Sequence, residues 1–243
     1  MRMLTLARRN TKEILRDPLN LAFGLGFPLV LIGLLSAIQA SIPVPLFEIG
    51  HLTPGITVFG LSFITLFSAT LIAKDRGSSL LQRLYTTPLT AMDFILGYTL
   101  PVIPIAVAQC VVCYVAGILL GLEVTVNILY ALVLVIPVSL LYIGLGLLCG
   151  SVLNDKQVGG VCGAMLTNVS AWLSGIWFDL ELVGGTFKKI AHALPFVHAV
   201  EMERAVLAGN YEDIFPHLWW VFGYAIVVLG VAVLLFLRQM KRQ

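Results

Sequence analysis

The chain has 243 residues, of which 59% are hydrophobic and only 12% are charged. A soluble domain usually carries about 25% charged residues, so this composition excludes a soluble protein and indicates an integral membrane protein. The mean hydropathy of +0.97 agrees with that assignment. The net charge of +2 is small, so the distribution of charge along the chain is more informative than its sum. We expect no nucleic-acid partner.

The N-terminal segment, residues 1–17, is basic and amphipathic. One apolar face is formed by Met3, Leu4, Ala7, Ile14 and Leu15. This pattern favours a helix that lies on the anionic cytoplasmic leaflet, with a solvated basic tail as the alternative. We do not expect a signal peptide, because the charged part is long and the apolar run after it has the length of a membrane span.

Six apolar runs are long enough to cross a membrane, which takes about 20 residues at about 1.5 Å each. None of them contains Asp, Glu, Lys, Arg or His. Pro101 and Pro104 predict that the third run tilts or breaks. The six predicted spans are residues 19–40, 54–73, 94–120, 126–148, 158–178 and 218–237.

The Lys and Arg residues are unequally distributed between the predicted loops. If both termini are cytoplasmic, 12 of the 15 lie inside and 3 lie outside. Such an excess is typical of cytoplasmic loops. The sequence therefore predicts an all-α, multi-pass protein of the cell membrane. We predict six transmembrane helices, both termini in the cytoplasm, and one transmembrane domain over residues 1–243.

The polar interval between spans two and three, residues 74–89, has its own amphipathic order. An apolar stripe at helical spacing is formed by Leu80, Leu81, Leu84 and Tyr85. Pro88 should end this short helix, and Thr90 with Asp93 resembles a capping box that opens the next one. We predict a helix lying flat at the membrane surface that transmits a push from a soluble partner to both spans.

Small and polar residues within the spans have two possible roles each. Gly159, Gly160 and Gly163 belong to a pattern of small residues that permits close helix contact, either within the chain or with another subunit. Three polar residues are candidates to line a transport pathway, although interhelical hydrogen bonds explain them equally well: Gln109, Tyr142 and Asn168. We interpret all four cysteines as packing residues, including the Cys110–Cys113 pair.

The longest predicted outer segment, residues 179–217, contains two short amphipathic patterns. We predict two helices that both rest on the outer surface. Glu201, Glu203 and Arg204 are expected to form a solvated face, since exposed charge is the common case.

Several stretches resemble ABC-2-type transporter permeases. The similar motifs are LTPGI at 52–56, DRG at 75–77, RLYTTPL at 83–89, ILG at 95–97, SGIWF at 174–178, LPFVHAV at 194–200, and Arg204. Their order covers nearly the whole chain. Two positions depart from the family pattern: Ala73 stands where a glutamate is frequent, and Tyr98 where a lysine is common.

The resemblance implies an export permease in which two six-span subunits, identical or different, form the pathway. Each subunit would rest on an ABC ATPase that holds ATP and Mg. The helix between spans two and three would then be the coupling helix that docks into the ATPase. The residues implied in this ATPase coupling are Asp75, Arg76, Gly77, Leu80, Leu81, Arg83, Leu84, Thr87 and Pro88.

The residues support part of this reading independently. The chain has no Gly-Lys pair and hence no phosphate loop of the Walker type. Its predicted spans also lack the ionisable groups that ion-coupled carriers use. We expect no catalytic residue, cofactor or metal site in this chain. The alternative function is that of an ATP-independent channel or facilitator.

A third function, that of an intramembrane enzyme, is disfavoured because HExxH and GxSxG motifs are absent. The expected cargo is a lipid, a lipid-linked glycan, or an amphipathic drug or peptide.

Overall fold

A computed structural model describes residues 2–44, 47–78 and 90–240, and their regular secondary structure is helical throughout. The all-α prediction is therefore confirmed for this part of the chain. The elements are α1 (Arg2–Leu15), α2 (Pro18–Ser41), α3 (Ile49–Gly77), α4 (Ala91–Thr99), α5 (Ile103–Leu119), α6 (Asn127–Val152), α7 (Asp155–Val158), a π-helical stretch (Gly159–Leu166), α8 (Thr167–Trp172), α9 (Leu180–Val183), α10 (Gly185–Ala193), α11 (Pro195–Ala208), a 3-10 turn (Tyr211–Asp213) and α12 (Ile214–Met240).

Five helical stretches among the described residues are long and apolar enough to cross a membrane. They are Asn20–Ser41, Ile49–Gly77, Met92–Leu119, Asn127–Val152 and Tyr211–Arg238. These coincide with predicted spans one to four and six. The third is interrupted between Thr99 and Ile103, where the chain passes through Pro101. This interruption confirms the predicted break. Its physical cause is that proline cannot donate the backbone hydrogen bond that a continuous helix needs.

The predicted fifth span, residues 158–178, is not one uninterrupted α-helix. Its chain passes from α7 through the π-helical stretch into α8, and the helix ends at Trp172 rather than at residue 178. Beyond it the backbone turns through Gly175, which has a φ of +70°. Glycine reaches this left-handed region without the clash that a Cβ causes. Glycines in the π-helical stretch also weaken regular α-helix there.

Helix α3 is the centre of the bundle and is buried along most of its length. Helices α2, α5, α6 and α11 pack around it, and the contact with α6 is the most extensive. By contrast, α2 and α12 leave many large apolar side chains uncovered, including Phe23, Leu34, Ile226 and Leu234. Such faces suit a lipid environment.

Helix α11 is buried inside the bundle, which corrects the prediction that both short helices rest on the outer surface. It packs against α3, α6 and α12, and most of its side chains from Pro195 to Val206 are buried. Helix α10 has one buried residue, Ala191, and is the more superficial of the two. Gly209 ends α11 in the left-handed conformation expected of a helix terminus, with φ +78°.

Helix α1 and the C-terminal part of α12 lie at the same end of the bundle, which we call the terminal end. Leu6 of α1 lies against Gly97 of α4. The rings of Phe94 in α4 and Phe236 in α12 stack with centroids 3.7 Å apart. The end of α3 that precedes the predicted coupling segment is also here, because Asp75 contacts α1 and α4.

Candidate functional site

The structure describes the residues at the two edges of the predicted coupling segment. Asp75, Arg76 and Gly77 form the last turn of α3. The predicted capping box at its far side is confirmed: Thr90 and Asp93 exchange both bonds at the start of α4. The other predicted ATPase-coupling residues lie outside the described residues, namely Leu80, Leu81, Arg83, Leu84, Thr87 and Pro88.

Asp75 joins three helices through one buried carboxylate. Its Oδ2 atom accepts hydrogen bonds from Arg9 Nη1 on α1 and from the Tyr98 hydroxyl on α4, the latter at 2.7 Å. The Asp75 side chain is 3% exposed and that of Arg9 is 36% exposed. A buried carboxylate is tolerable only when it is paired in this way. The pair therefore holds α1 and α4 against the end of α3.

Asn10 extends this network along the buried side of α1. Its side chain is fully buried, accepts a hydrogen bond from Arg9 Nη1, and donates one to the carbonyl oxygen of Gly97, each at 3.0 Å. Asn10 lies between the buried Leu6 and Ile14 at helical spacing. In the sequence, a polar residue on an otherwise apolar helical stripe is the feature that could have predicted a hydrogen bond to a neighbouring helix.

Arg76 connects the last turn of α3 to the C-terminal end of α6. Its guanidinium donates to the carbonyl oxygens of Ser151, Val152 and Leu153, at 3.2 Å for Val152 and 2.5 Å for Leu153. These carbonyls end α6 and have no partner within their own helix, and a cation there also complements the helix dipole. Arg76 therefore acts as a side-chain cap that ties the end of α6 to α3.

Three consecutive charged residues thus contact three different parts of the terminal end. Lys74 Nζ lies 3.7 Å from the Asp17 carboxylate at the junction of α1 and α2, Asp75 binds α1 and α4, and Arg76 binds α6. A force applied to the chain after residue 78 would be transmitted to all of these helices. The arrangement is a set of contacts between helices around the last turn of α3.

The three candidate pathway residues are not brought together. Gln109 and Tyr142 are buried inside the bundle. Gln109 donates to the Thr57 carbonyl oxygen at 3.3 Å, and the Tyr142 carbonyl accepts from Thr65. Asn168 is exposed and donates to the Ala164 carbonyl of its own helix. Of the three, only Asn168 faces the surroundings of this subunit.

No close contact among the described residues requires glycine at the three predicted packing positions. A Cβ at Gly159 or Gly160 would have no described atom within 4 Å, and one at Gly163 would make ordinary contact with Leu66. A contact of this face with another subunit stays a prediction. The four cysteines are free thiols, and Cys110, Cys113 and Cys162 are buried.

Glu203, which the sequence placed on a solvated face, is completely buried in α11. Its Oε2 atom accepts a 2.7 Å hydrogen bond from the Tyr114 hydroxyl of α5. Its Oε1 atom has no hydrogen-bond partner among the described residues. Burial raises the pKa of this carboxyl to about 8, with the Tyr114 bond opposing the rise. The group is therefore mainly neutral at pH 7.

The raised pKa of Glu203 makes the stability of the fold depend on pH. The native state holds a proton that the unfolded state releases near pH 4.5, so stability falls as pH rises from about 4.5 through about 8. We expect Glu203→Gln to remove this pH-dependent part of the free energy of unfolding, which is on the order of a few kcal/mol. Melting temperatures of the purified protein between pH 5 and 9 would show a flatter profile. Glu212→Gln, at an exposed position, should keep the wild-type slope, and an unchanged slope in Glu203→Gln would contradict the assignment.

Arg204 is half-buried rather than solvated. Its guanidinium donates to Glu201 at 2.9 Å and to the Gly175 carbonyl at 3.1 Å. It thus connects α11 to the turn that follows α8. Arg204 belongs to the packing of the end opposite the termini and not to the site around Asp75.

Comparison with known proteins places the chain in a family. Residues 1–208 match the model for ABC-2 type transporters. The capsule polysaccharide export inner-membrane protein CtrC of Neisseria meningitidis serogroup A is 26% identical over 129 residues, covering 52% of this chain and 49% of that protein. CtrC of serogroup B is 29% identical over 161 residues, covering 65% and 58% respectively. The chain therefore spans about half the length of these relatives. With five span-length helices and a family match over most of its length, the chain belongs to the ABC-2 type transporter family as a membrane subunit.

Proposed function

We propose that this chain is the permease subunit of an ATP-driven exporter in the cell membrane, powered by a separate ABC ATPase. The ATPase would dock on the segment between α3 and α4. The observation that carries this proposal is the set of contacts made by Lys74, Asp75 and Arg76. Immediately before that segment, three residues join α3 to α1, α4, α6 and the start of α2. Movement of a docked partner would shift these helices together.

The proposed topology has six crossings, with the terminal end in the cytoplasm. Besides the five span-length helices, the remaining crossing, fifth in chain order, is the continuous helical path from α7 to α8, residues 155–172. This path is about 25 Å long, close to the roughly 30 Å of a bilayer core. An even number of crossings matches the shared end of the termini. The predicted excess of Lys and Arg then faces the cytoplasm.

The proposed cargo is a polysaccharide or lipid-linked glycan. Among the classes compatible with an uncharged apolar pathway, this one agrees with the function for which the two CtrC relatives are named, capsule polysaccharide export. Two permease subunits, identical or different, would form the pathway. The open face at Gly159 and Gly160 is suited to the contact between them.

The coupling proposal predicts a separation of ATP hydrolysis from export. The double variant Leu81→Asp/Leu84→Asp should remain inserted and folded, because the substitutions lie in a polar interval. It should lose ATP-dependent export by at least about tenfold, since buried apolar anchors dominate such interfaces. Export and ATP hydrolysis would be measured in vesicles that contain the ATPase that co-purifies with the chain.

Leu182→Asp is the matched control, because Leu182 is an 85% exposed leucine near the opposite end. It should leave ATP-dependent export unchanged. Unchanged export in the double variant would refute docking at residues 81 and 84. Export by the isolated chain without ATP would instead support the ATP-independent facilitator.

A further inference from the structure

A second feature of the terminal end is a cavity of about 240 Å³ between α1, α2 and α3. Its wall on α3 runs from Phe67 through Leu71 to Lys74. These residues span two helical turns, or about 10 Å along the axis. The buried Phe67 and Leu71 form an apolar floor, whereas Lys74 is exposed at the rim. The cavity therefore crosses the boundary between an apolar and an aqueous environment.

The rim of this cavity carries balanced charge. Two cations, Arg16 and Lys74, line it together with two carboxylates, Glu13 and Asp17. Glu13 also lies 3.6 Å from Arg9 of α1, which does not line the cavity. Lys74 and Asp17 are 3.7 Å apart. Arg16 is exposed and makes no ion pair with any described residue. A rim with no net charge favours a ligand that itself carries both signs over a purely anionic one.

We propose that this cavity binds the headgroup of a zwitterionic membrane phospholipid that carries a primary ammonium, a phosphatidylethanolamine. Its phosphate would contact Arg16 and Lys74, and its ammonium would donate hydrogen bonds to Glu13 and Asp17. Its acyl chains would lie along the apolar floor at Phe67 and Leu71. A choline headgroup fits less well, because its quaternary ammonium has no N–H to donate. The site requires only that the terminal end lie at the membrane surface, and it is independent of the exported cargo.

The test uses the full chain in nanodiscs of equal parts phosphatidylethanolamine, phosphatidylcholine and phosphatidylglycerol. Native mass spectrometry then counts the lipids that the released protein retains. We expect selective retention of phosphatidylethanolamine. The double variant Arg16→Gln/Lys74→Gln should reduce that selectivity by roughly threefold to fivefold, the range expected for exposed ion pairs. Lys12→Gln, on α1 but outside the cavity, should keep it.

A second variant distinguishes a specific headgroup-binding site from nonspecific attraction to lipid. Glu13→Gln leaves the rim with a net positive charge, and it should shift retention from phosphatidylethanolamine towards phosphatidylglycerol. Melting temperatures of all variants would establish that they are folded. Equal retention of the three lipids, a wild-type preference for phosphatidylglycerol, or equal losses in Lys12→Gln and the double variant would each overturn the proposal.

Discussion

Asp75→Ala is expected to lower the stability of the purified protein by about 2–4 kcal/mol and to abolish ATP-dependent export. Its carboxylate receives hydrogen bonds from Arg9 and Tyr98, and its removal leaves both donors without their shared acceptor. Breaking a buried pair from one side costs more than the pair contributes, although the partial exposure of Arg9 moderates the loss. Thermal unfolding in detergent and export in ATPase-containing vesicles would measure the two effects.

The contribution of each donor can be separated by further variants. Tyr98→Phe keeps the ion pair and should cost only about 1 kcal/mol, the usual value of one hydrogen bond. Arg9→Gln and Asp75→Asn, combined in a double-mutant cycle, should show a coupling of at least about 0.5 kcal/mol, as expected for residues in contact. Asp155→Asn, at an exposed position, serves as the control and should have little effect. A coupling of zero would show that the Arg9–Asp75 contact does not stabilise the terminal end.

Substitution of the two glycines where α6 meets α3 should be the other strongly damaging change. A Cβ at Gly146 would lie 2.6 Å from the Thr65 carbonyl oxygen, and one at Gly150 would lie 2.6 Å from the Ala69 carbonyl oxygen. Backbone atoms cannot rotate away as side chains do, so alanine would force the helices apart. We expect Gly146→Ala and Gly150→Ala each to cost about 1–3 kcal/mol or more, as overpacking does.

Gly230→Ala is the matched control for this prediction, because a Cβ there meets no described atom within 4 Å. It should be neutral or slightly stabilising, since alanine favours helix more than glycine does. Melting temperatures of the three variants in the same detergent would provide the comparison. If all three melted together, the close approach of α3 and α6 would not limit stability.

Both sets of variants test the same mechanical unit. The glycines allow α6 to lie directly on α3, and Arg76 ties the end of α6 to the last turn of α3. Asp75 adds α1 and α4 to that turn. A rigid unit of this kind is needed if motion after residue 78 is to reach the spans without being absorbed by local side-chain movement.

The candidate site could be located from the sequence but not assembled from it. The polar interval between two apolar runs identified Asp75 and Arg76, because charged residues between spans stand out in a hydropathy pattern. Their partners did not stand out. Arg9 is 66 residues from Asp75, and Tyr98 is 23 residues away. In the sequence, Tyr98 is a departure from the family pattern, whereas the structure shows its hydroxyl bound to Asp75.

Sequence patterns alone predicted the membrane class, the break at Pro101, the capping box at Thr90 and six spans, five of which are span-length helices among the described residues. Each of these depends on properties that a residue has locally: its transfer free energy into lipid, its backbone constraint, or a hydrogen bond three residues away. The tertiary structure was needed to show that α11 is buried, that Glu203 is neutral inside the bundle, and that the predicted fifth span contains a π-helical stretch and ends as a helix at Trp172. The burial of a charged residue depends on a partner such as Tyr114, which lies on another helix. Hydropathy along one chain segment contains no information about that partner.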